Sequence, residues 1–258
     1  MKTTLITGAT GAIGRAIAHM MAKNGYRVII VARNKHKARE YVQMLTRESR
    51  NTDISYLMAD VSRKEDIRSI AADLNDPIDV LINNAAVTPR QREETLEGIE
   101  MQFATNVLGY YWMIQYFLPH LKKAAPSRIV NVASYWAGNL NINDLEFKDR
   151  FYNNDTAYRQ SKQADRMLTV ALAEKLRGDG ITVNACHPGD VRSTLSSNLG
   201  YGGHESPEQG AATPVWLATS EETAQKTGKY FEHLKELHCQ FSTDSDAINK
   251  LFEICESY

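Results

Sequence analysis

Cysteine is scarce and dispersed in this chain. Its 258 residues include three cysteines, Cys186, Cys239 and Cys255, and no C-x-x-C pair. An odd number of widely spaced cysteines offers neither a disulfide framework nor a cluster of thiolate metal ligands. The sequence therefore predicts a protein of a reducing compartment, and we expect it to be cytoplasmic.

The chain also lacks an excess of charge and a long apolar run. Its formal net charge is -1, so no global attraction to nucleic acid or to an anionic membrane is expected. No signal peptide precedes the first predicted strand, and no apolar run approaches the roughly twenty residues of a membrane span. The histidines show no ligand spacing, even around His233, His238 and Cys239, and we predict no metal site. Nucleic acid, a membrane span and a metal are thus not expected.

Short apolar runs alternate with helical patterns along the whole chain. Because parallel strands joined by helices are buried on both faces, the pattern predicts an α/β fold. We expect a Rossmann-type, doubly wound, mostly parallel seven-stranded sheet with helices on both faces, in one domain of residues 1–258 without repeat or linker. The predicted strands are Thr3–Thr7, Tyr26–Val31, Ile54–Met58, Ile78–Ile82, Ile129–Ala133, Ile181–Cys186 and Lys229–Phe231. Ligands of such sheets bind outside the carboxyl ends of the strands.

A glycine-rich loop follows the first predicted strand. It reads Gly8-Ala9-Thr10-Gly11-Ala12-Ile13-Gly14, and a helical pattern begins directly after it. Free backbone N–H groups and the positive end of the helix dipole favour a phosphate there, while glycine permits close approach of the backbone. A tight turn without a ligand is the structural alternative.

Tyr158 and Lys162 stand four residues apart in a segment with a helical pattern. Both side chains therefore project from one helical face. A close cation favours the ionised form of a phenol, so the pair offers a proton donor whose conjugate base is usable near neutral pH. The alternative is a half-buried ring beside a solvated amine.

These features, together with four further motifs, resemble the short-chain dehydrogenase/reductase family over nearly the whole chain. The further motifs are Asn83-Asn84-Ala85-Ala86, Asn106, Ser134 and Pro188-Gly189. The segments around Asn143-Asp144-Leu145 and Gly228-Lys229-Tyr230-Phe231 are most similar to soluble retinol-dehydrogenase-like and carbonyl reductase members. The spacing of Gly8, Gly11 and Gly14 is also similar to the extended branch, which modifies nucleotide sugars.

The resemblance implies a catalytic set of Asn106, Ser134, Tyr158 and Lys162. Tyr158 would donate a proton to the developing alkoxide, and Ser134 would hydrogen-bond the carbonyl oxygen. Lys162 would bind the nicotinamide ribose and favour ionised Tyr158, while Asn106 would hold a water that links Lys162 to solvent. Ser161 is expected to pack or cap locally.

The resemblance also implies a nicotinamide dinucleotide, and charge predicts its type. Arg33 ends the second strand where an acidic residue would repel a 2′-phosphate, so NADP(H) is expected in preference to NAD(H). A solvated arginine is the alternative for Arg33. The expected cofactor-binding residues are the glycine-loop residues Gly8, Thr10, Gly11, Ala12, Ile13 and Gly14, then Arg33, Asn34, Asp60, Val61, Asn84, Ala85, Tyr158, Lys162, Pro188, Gly189 and Val191.

Two irregular segments are predicted to surround a small-molecule carbonyl or alcohol substrate. They are an insertion around 135–157 and a lid around 192–207. Their apolar residues suggest an apolar pocket built from Tyr135, Trp136, Phe147, Phe151, Leu195, Leu199 and Tyr201. Retinoid, steroid, fatty aldehyde and aromatic ketone all stay open as substrates.

Two further questions stay open at this level. A non-enzymatic sensor of NAD(P) is the alternative function, although it would not need the proton donor Tyr158. Tyr110, Tyr111, Trp112, Tyr116 and Phe117 make one helix strongly aromatic. The resemblance predicts that this helix pairs across the interface of a homodimer or homotetramer, whereas burial inside one subunit explains the same residues.

Overall fold

One twisted sheet runs through the computed structural model, which describes residues 1–258. Its strands are β1 (Thr3–Thr7), β2 (Arg27–Ala32), β3 (Ile54–Met58), β4 (Val80–Asn83), β5 (Ser127–Val132), β6 (Ile181–His187), β7 (Tyr230–Glu232) and β8 (Lys235–Leu237). Their order is β3-β2-β1-β4-β5-β6-β7-β8, and the first seven are parallel. The predicted doubly wound sheet is confirmed. Because chain order reverses between β1 and β4, a crevice opens at their carboxyl ends.

The predicted count of seven strands was one short. The eighth strand, β8, pairs antiparallel with β7 through a tight hairpin. All three residues of Lys235–Leu237 are exposed, so no apolar pattern marks the strand in the sequence. His233 and Leu234 turn the chain with φ angles of 46° and 61°. Neither residue is a usual choice for this left-handed region, so turn chemistry did not reveal the hairpin either.

Helices cover both faces of the sheet. They are α1 (Ala12–Lys23), α2 (Lys35–Ser49), α3 (Lys64–Asp73), α4 (Gly109–Lys123), α5 (Asn154–Lys175), α6 (Thr194–Asn198), α7 (Pro207–Thr219) and α8 (Ser245–Ser257). A π-helix, Phe103–Leu108, leads into α4, and a 3-10 turn spans Glu221–Thr223. None of these helices combines the length and the apolar character that crossing a membrane requires.

Two apolar cores lie on opposite faces of the sheet. The larger joins the sheet to α3, α4, α5 and α8, and the other joins it to α1, α2 and α7. Of the aromatic residues of α4, Tyr111, Trp112 and Phe117 belong to the larger core and Tyr116 packs against it, while Tyr110 is buried elsewhere at 3% exposure. Packing inside one subunit therefore accounts for these residues, and they give no support to the predicted subunit interface.

Candidate active site

The glycine loop is shaped by close approach of its backbone to the segment after β4. Gly8 has a φ of +66°, and a Cβ added there would lie 2.7 Å from the Cα of Ala85. A Cβ at Gly14 would collide with the carbonyl oxygen of Gly8. The Thr7 hydroxyl accepts hydrogen bonds from the backbone N–H of Asn84 and of Ala85, at 2.9 and 3.0 Å. Glycine is thus required where the two segments meet.

A cavity of about 320 Å³ runs along this loop at the carboxyl ends of β1, β2 and β4. Of the predicted cofactor-binding residues, it is lined by Gly8, Thr10, Gly11, Ala12, Ile13, Gly14, Arg33, Asp60, Val61, Asn84 and Ala85. The Arg33 side chain is 69% exposed, and its guanidinium lies 4.0 Å from the carboxylate of Asp60. The sequence-predicted residues therefore meet in one elongated crevice.

Asn34 is the one predicted cofactor-binding residue that lines neither this cavity nor the second cavity described below. It does not line the cavity, and its side chain accepts a hydrogen bond from the backbone N–H of Lys37 at 3.0 Å. Asn34 is the N-cap of α2. Its position directly after Arg33 suggested a ligand contact, but capping explains an asparagine at the start of a helix.

A second cavity, of about 90 Å³, continues from the first. The two share Ile13, Asn84, Ala86, Ser193 and Leu195. The second cavity is lined by the predicted residues Ser134, Tyr158, Lys162, Pro188, Gly189 and Val191. The ends of β5 and β6 and the helix α5 thus bring three of the four predicted catalytic residues, Ser134, Tyr158 and Lys162, to one end of the crevice, whereas Asn106 lines neither cavity.

Tyr158 enters this cavity from the second turn of α5. The helix begins after Asn153, whose side chain accepts a hydrogen bond from the backbone N–H of Thr156 at 2.9 Å. Burial raises the pKa of Tyr158 to about 12, although a hydrogen bond with Ser134 acts to lower it and the charge of Asp165 raises it further. The phenol is therefore protonated at neutral pH.

Lys162 lies one turn further along α5 and is fully buried. Its Nζ donates to Asp165 Oδ2 at 2.9 Å and to the carbonyl oxygen of Val132 at 3.0 Å, and it lies 3.5 Å from the hydroxyl of Tyr110. The sequence predicted that this cation would favour ionised Tyr158. The pKa of Tyr158 moves in the opposite direction, because burial raises it more than the hydrogen bond with Ser134 lowers it, and the charge of Asp165 raises it further.

Asn106 lies within the π-helix, a conformation often found at functional sites. Its Oδ1 accepts from the Val87 N–H at 2.9 Å, and its Nδ2 donates to the Val87 carbonyl at 3.1 Å and to the Ser161 hydroxyl at 3.1 Å. The amide therefore joins the loop after β4 to α5. Ser161 donates to the carbonyl oxygen of Tyr158 at 2.8 Å, in line with the local role that its sequence position predicted.

Four of the seven apolar residues predicted for a substrate pocket line the second cavity. They are Trp136, Leu195, Leu199 and Tyr201. The rings of Trp136 and Tyr201 stack, with centroids 5.1 Å apart, and the Tyr201 hydroxyl donates to Asp155 at 2.9 Å. The segment after β6 thus packs across the cavity mouth onto the segment after β5.

The other three predicted pocket residues are placed elsewhere. Phe147 is buried against Tyr152 and Arg150, and Phe151 is fully exposed. Tyr135 packs edge-on against His187 with ring centroids 4.4 Å apart, outside the cavity lining. Aromatic character alone did not show which of these residues faces the cavity.

His187 and Asp165 are site residues whose roles sequence reasoning missed. His187, directly before Pro188, lines the second cavity with its Nδ1 unpartnered. Burial lowers its pKa to about 3, so the imidazole is neutral. Asp165 follows Lys162 by three residues on α5, a spacing that places two side chains on one face and could have drawn attention to it.

Comparison with known proteins places the chain in a family. A family model described as short chain dehydrogenase matches residues 2–201. Human retinol dehydrogenase 13 is 35% identical over 91% of this chain and 77% of its own length. Human retinol dehydrogenase 14 is 33% identical over 99% of this chain and 85% of its own length. The chain belongs to the short-chain dehydrogenase/reductase family and is an oxidoreductase of retinol-dehydrogenase-like type.

Solved structures share the fold. The NADP active-site complex of Pseudomonas aeruginosa RhlG matches with a TM-score of 0.72 and 26% identity, covering 90% of this chain and 94% of its own. The 3-ketoacyl-(acyl-carrier-protein) reductase from Brucella melitensis, complexed with NADH, matches with a TM-score of 0.68 and 25% identity, covering 90% and 96%. Members of the family bind nicotinamide cofactors, and these two were crystallised with different ones.

Proposed function

We propose that this protein is an NADP(H)-dependent oxidoreductase that interconverts an apolar carbonyl compound and the corresponding alcohol. The observation that carries the proposal is the meeting of Ser134, Tyr158 and Lys162 at one end of the glycine-loop crevice. We also propose that residues 1–258 act as one domain, with 192–207 as substrate lid and 135–157 as the facing wall. Cytoplasmic location and assembly into a homodimer or homotetramer stay predictions.

The crevice fits a dinucleotide. The glycine loop lines this cavity, and its backbone would form a floor on which a pyrophosphate lies against the N-terminus of α1. Asp60 and Val61 would hold the adenine end, Asn84 and Ala85 the middle, and Pro188, Gly189 and Val191 the nicotinamide end. When bound, the nicotinamide supplies or accepts the hydride.

The preference for NADP(H) rests on Arg33. Its guanidinium lies at the rim of the adenine end and is largely exposed, so it is free to pair with a 2′-phosphate. Asp60 lies 4.0 Å away and would orient that guanidinium. A carboxylate at the place of Arg33 would instead repel the phosphate.

The protein residues supply position and a proton. Tyr158 is protonated at neutral pH and would donate its proton to the oxygen of the reduced carbonyl, while Ser134 hydrogen-bonds the same oxygen. Lys162 would place positive charge behind Tyr158 and hold the ribose of the cofactor. Asn106 would fix the π-helix against α5, through its hydrogen bonds to Val87 and Ser161.

The substrate is proposed to be apolar. Trp136, Leu195, Leu199 and Tyr201 surround the end of the cavity beyond Tyr158. Burying an apolar chain against such side chains is favourable, whereas these four side chains offer a charged group no ion-pair partner in place of the hydration that it would lose. The likeness to retinol dehydrogenases makes retinaldehyde the first carbonyl compound to test.

The test is a panel of carbonyl compounds assayed by loss of NADPH absorbance. The panel includes retinaldehyde, a steroid ketone, a fatty aldehyde and an aromatic ketone, and each is also assayed with NADH. We expect turnover of at least one apolar carbonyl and higher kcat/KM with NADPH than with NADH. Tight NADPH binding without turnover of any carbonyl would favour a cofactor sensor and contradict the proposal.

A further inference from the structure

The buried ammonium of Lys162 has a carboxylate partner for which the proposed reaction gives no role. The side chains of Lys162 and Asp165 are 2% and 0% exposed, and their charged atoms lie 2.9 Å apart. The second oxygen of Asp165, Oδ1, has no hydrogen-bond partner. We propose that Asp165 is a positioning residue that keeps Lys162 charged and fixed behind Tyr158, so that catalysis depends on the ionisation of this carboxylate. The proposal rests on the function proposed above.

Charge balance is the first argument for this role. A buried ammonium loses its hydration, and without an opposite charge it releases its proton. The other two groups near Lys162 Nζ, the Val132 carbonyl and the Tyr110 hydroxyl, are uncharged. Asp165 is the only carboxylate that contacts this ammonium. Lys162 therefore depends on Asp165 for the charge that its proposed role requires.

Rigidity is the second argument. Asp165 and Lys162 are three residues apart on α5, so their side chains share one face of the helix. The backbone of Asp165 is held in turn, because Thr169 donates its hydroxyl to the Asp165 carbonyl at 2.8 Å. Thr169 itself accepts from Asn131 Nδ2 at 2.9 Å, which ties this turn of α5 to β5. The carboxylate is thus fixed relative to the sheet.

Apart from the guanidinium of Arg166, the groups that face the pair stay uncharged through the physiological range. Burial raises the pKa of Tyr110 on α4, of Cys186 on β6 and of Cys255 on α8. Burial lowers the pKa of His187 to about 3, and it raises the pKa of Tyr158 to about 12. Arg166, next to Asp165, is packed over the ring of Tyr230 at 3.5 Å.

Two buried carboxyl groups near α5 titrate at higher pH than usual. Burial raises the pKa of Asp165, while the Lys162 ammonium opposes this shift. Burial also raises the pKa of Glu100 to about 7, although hydrogen bonds from Gln102 and Phe103 oppose the shift. Glu100 lies beside a separate small cavity, together with Ser161 and Ala164. A substitution at Asp165 leaves Glu100 in place, so it distinguishes the titration of Asp165 from that of Glu100.

The sign of the pH effect follows from the charge of the pair. Above its pKa, Asp165 is ionised and holds Lys162, so Asp165→Asn removes the negative charge that pairs with the Lys162 ammonium. Below that pKa, wild-type Asp165 is protonated and resembles asparagine. The ratio of wild-type to D165N kcat/KM should therefore approach one in acid and grow as pH rises. At its largest we expect about a ten- to hundredfold ratio, the size of effect found when a group that orients a metal ligand is removed.

The experiment compares D165N, Lys162→Met, the double variant and a matched control, Thr169→Val. Thr169→Val removes two buried hydrogen bonds of the same turn of α5, one to the Asp165 carbonyl and one from Asn131, and leaves the charges intact. Reductive kcat/KM is measured from about pH 5 to about pH 9, with NADPH affinity and Tm measured beside it. We expect the double variant to be no worse than Lys162→Met in rate and affinity, and the Thr169→Val effect to be independent of pH. Additive losses in the double variant, or a D165N ratio constant with pH, would overturn the proposal.

The stability of the variants keeps the test independent of substrate. Removing one partner of a buried ion pair is more damaging than removing both. We therefore expect the double variant to have a higher Tm than D165N, even where D165N folds poorly. A double variant less stable than D165N would overturn the proposal. Absence of turnover in the wild type would contradict only the proposed function, because the NADPH-affinity and Tm comparisons would still decide the role of Asp165.

Discussion

At the scale of single residues, burial determines the protonation state of Tyr158. Its ring lies inside the crevice, and loss of hydration raises the pKa of its phenol to about 12. The protonated phenol is the form that donates a proton to a reduced carbonyl oxygen. For the reverse reaction the phenolate must form, and we expect alcohol oxidation to rise with pH throughout the neutral range.

Tyr158→Phe should remove this proton donor while retaining the ring. We expect kcat for carbonyl reduction to fall by at least about 10²-fold, the minimum of general acid catalysis, with little change in NADPH affinity. Steady-state kinetics and NADPH titration measure the two effects. Tyr116→Phe is the matched control, since Tyr116 packs against the core on α4 away from the cavities. Turnover within about threefold of the parent would contradict the role of Tyr158.

Arg33→Ala tests the cofactor preference. Hydrogen bonds between charged partners contribute about 1.5–3 kcal/mol, so NADPH affinity should fall about ten- to a hundredfold while NADH affinity changes little. Fluorescence titration with each cofactor gives the comparison. Arg47→Ala, on the last turn of α2, serves as the control for loss of a surface charge. Equal losses for NADPH and NADH would show that Arg33 does not distinguish the 2′-phosphate.

The residues that sequence could place were those at strand ends. Gly8, Ser134 and Pro188 follow apolar runs directly, so the end of each run determines where they lie. Asp165 and Phe147 could not be placed in this way. Each lies in a helix or irregular segment, where the direction of the side chain depends on packing against distant parts of the chain.

At the scale of elements, the segment after β6 contributes Leu195, Leu199 and Tyr201 to the lining of the second cavity. Ser193 caps the short helix α6 in a capping box with Ser196. Gly200 and Gly203 have φ angles of +85° and +66°, and a Cβ at Gly203 would lie 2.5 Å from the Arg192 nitrogen. The segment returns through a parallel bridge between Val191 and Glu205. A fixed base and a glycine-rich turn suit a lid that closes on substrate.

Alanine substitution at Leu195, Leu199 or Tyr201 tests this lid. Full burial of a large side chain contributes roughly 1.5–3 kcal/mol, so each change should lower substrate kcat/KM about ten- to a hundredfold. NADPH affinity should be weakened little at Leu199 and Tyr201, which line only the second cavity. Leu195 lines both cavities and should show some loss of cofactor affinity. Unchanged kcat/KM in all three variants would exclude the lid role.

At the scale of the whole molecule, the sheet was predictable because six of its seven parallel strands are mostly buried, and the edge strand β3, which is only partly buried, still carries apolar residues. β1 and β3 have the predicted bounds, and the others shift by one or two residues at their ends. The exposed hairpin strand β8 was missed because it buries nothing. The conformation of the π-helix was missed for a related reason, since its buried residues, Phe103–Leu108, show the same apolar pattern as an ordinary helix.

Glu100 should contribute to the pH dependence of the free energy of unfolding. Its carboxylate accepts hydrogen bonds from the N–H groups of Gln102 at 2.9 Å and Phe103 at 2.7 Å, yet burial raises its pKa from 4.5 to about 7. Between these values the folded protein retains a proton that the unfolded chain releases. The free energy of unfolding therefore falls as pH rises through this window, by at most about 3 kcal/mol from this group.

Glu100→Gln should remove that part of the pH dependence. We expect the decrease in Tm between about pH 5 and about pH 8 to be smaller in the variant than in the wild type, as measured by thermal unfolding. Glu97→Gln is the control. Burial acts to raise the pKa of Glu97, but hydrogen bonding with Arg63 lowers it below the usual value. Ionisation of Glu97 therefore changes the stability only at pH values below this window. An identical decrease in Tm in wild type and Glu100→Gln would mean that Glu100 is ionised throughout the window, against the effect that burial should have on its carboxyl group.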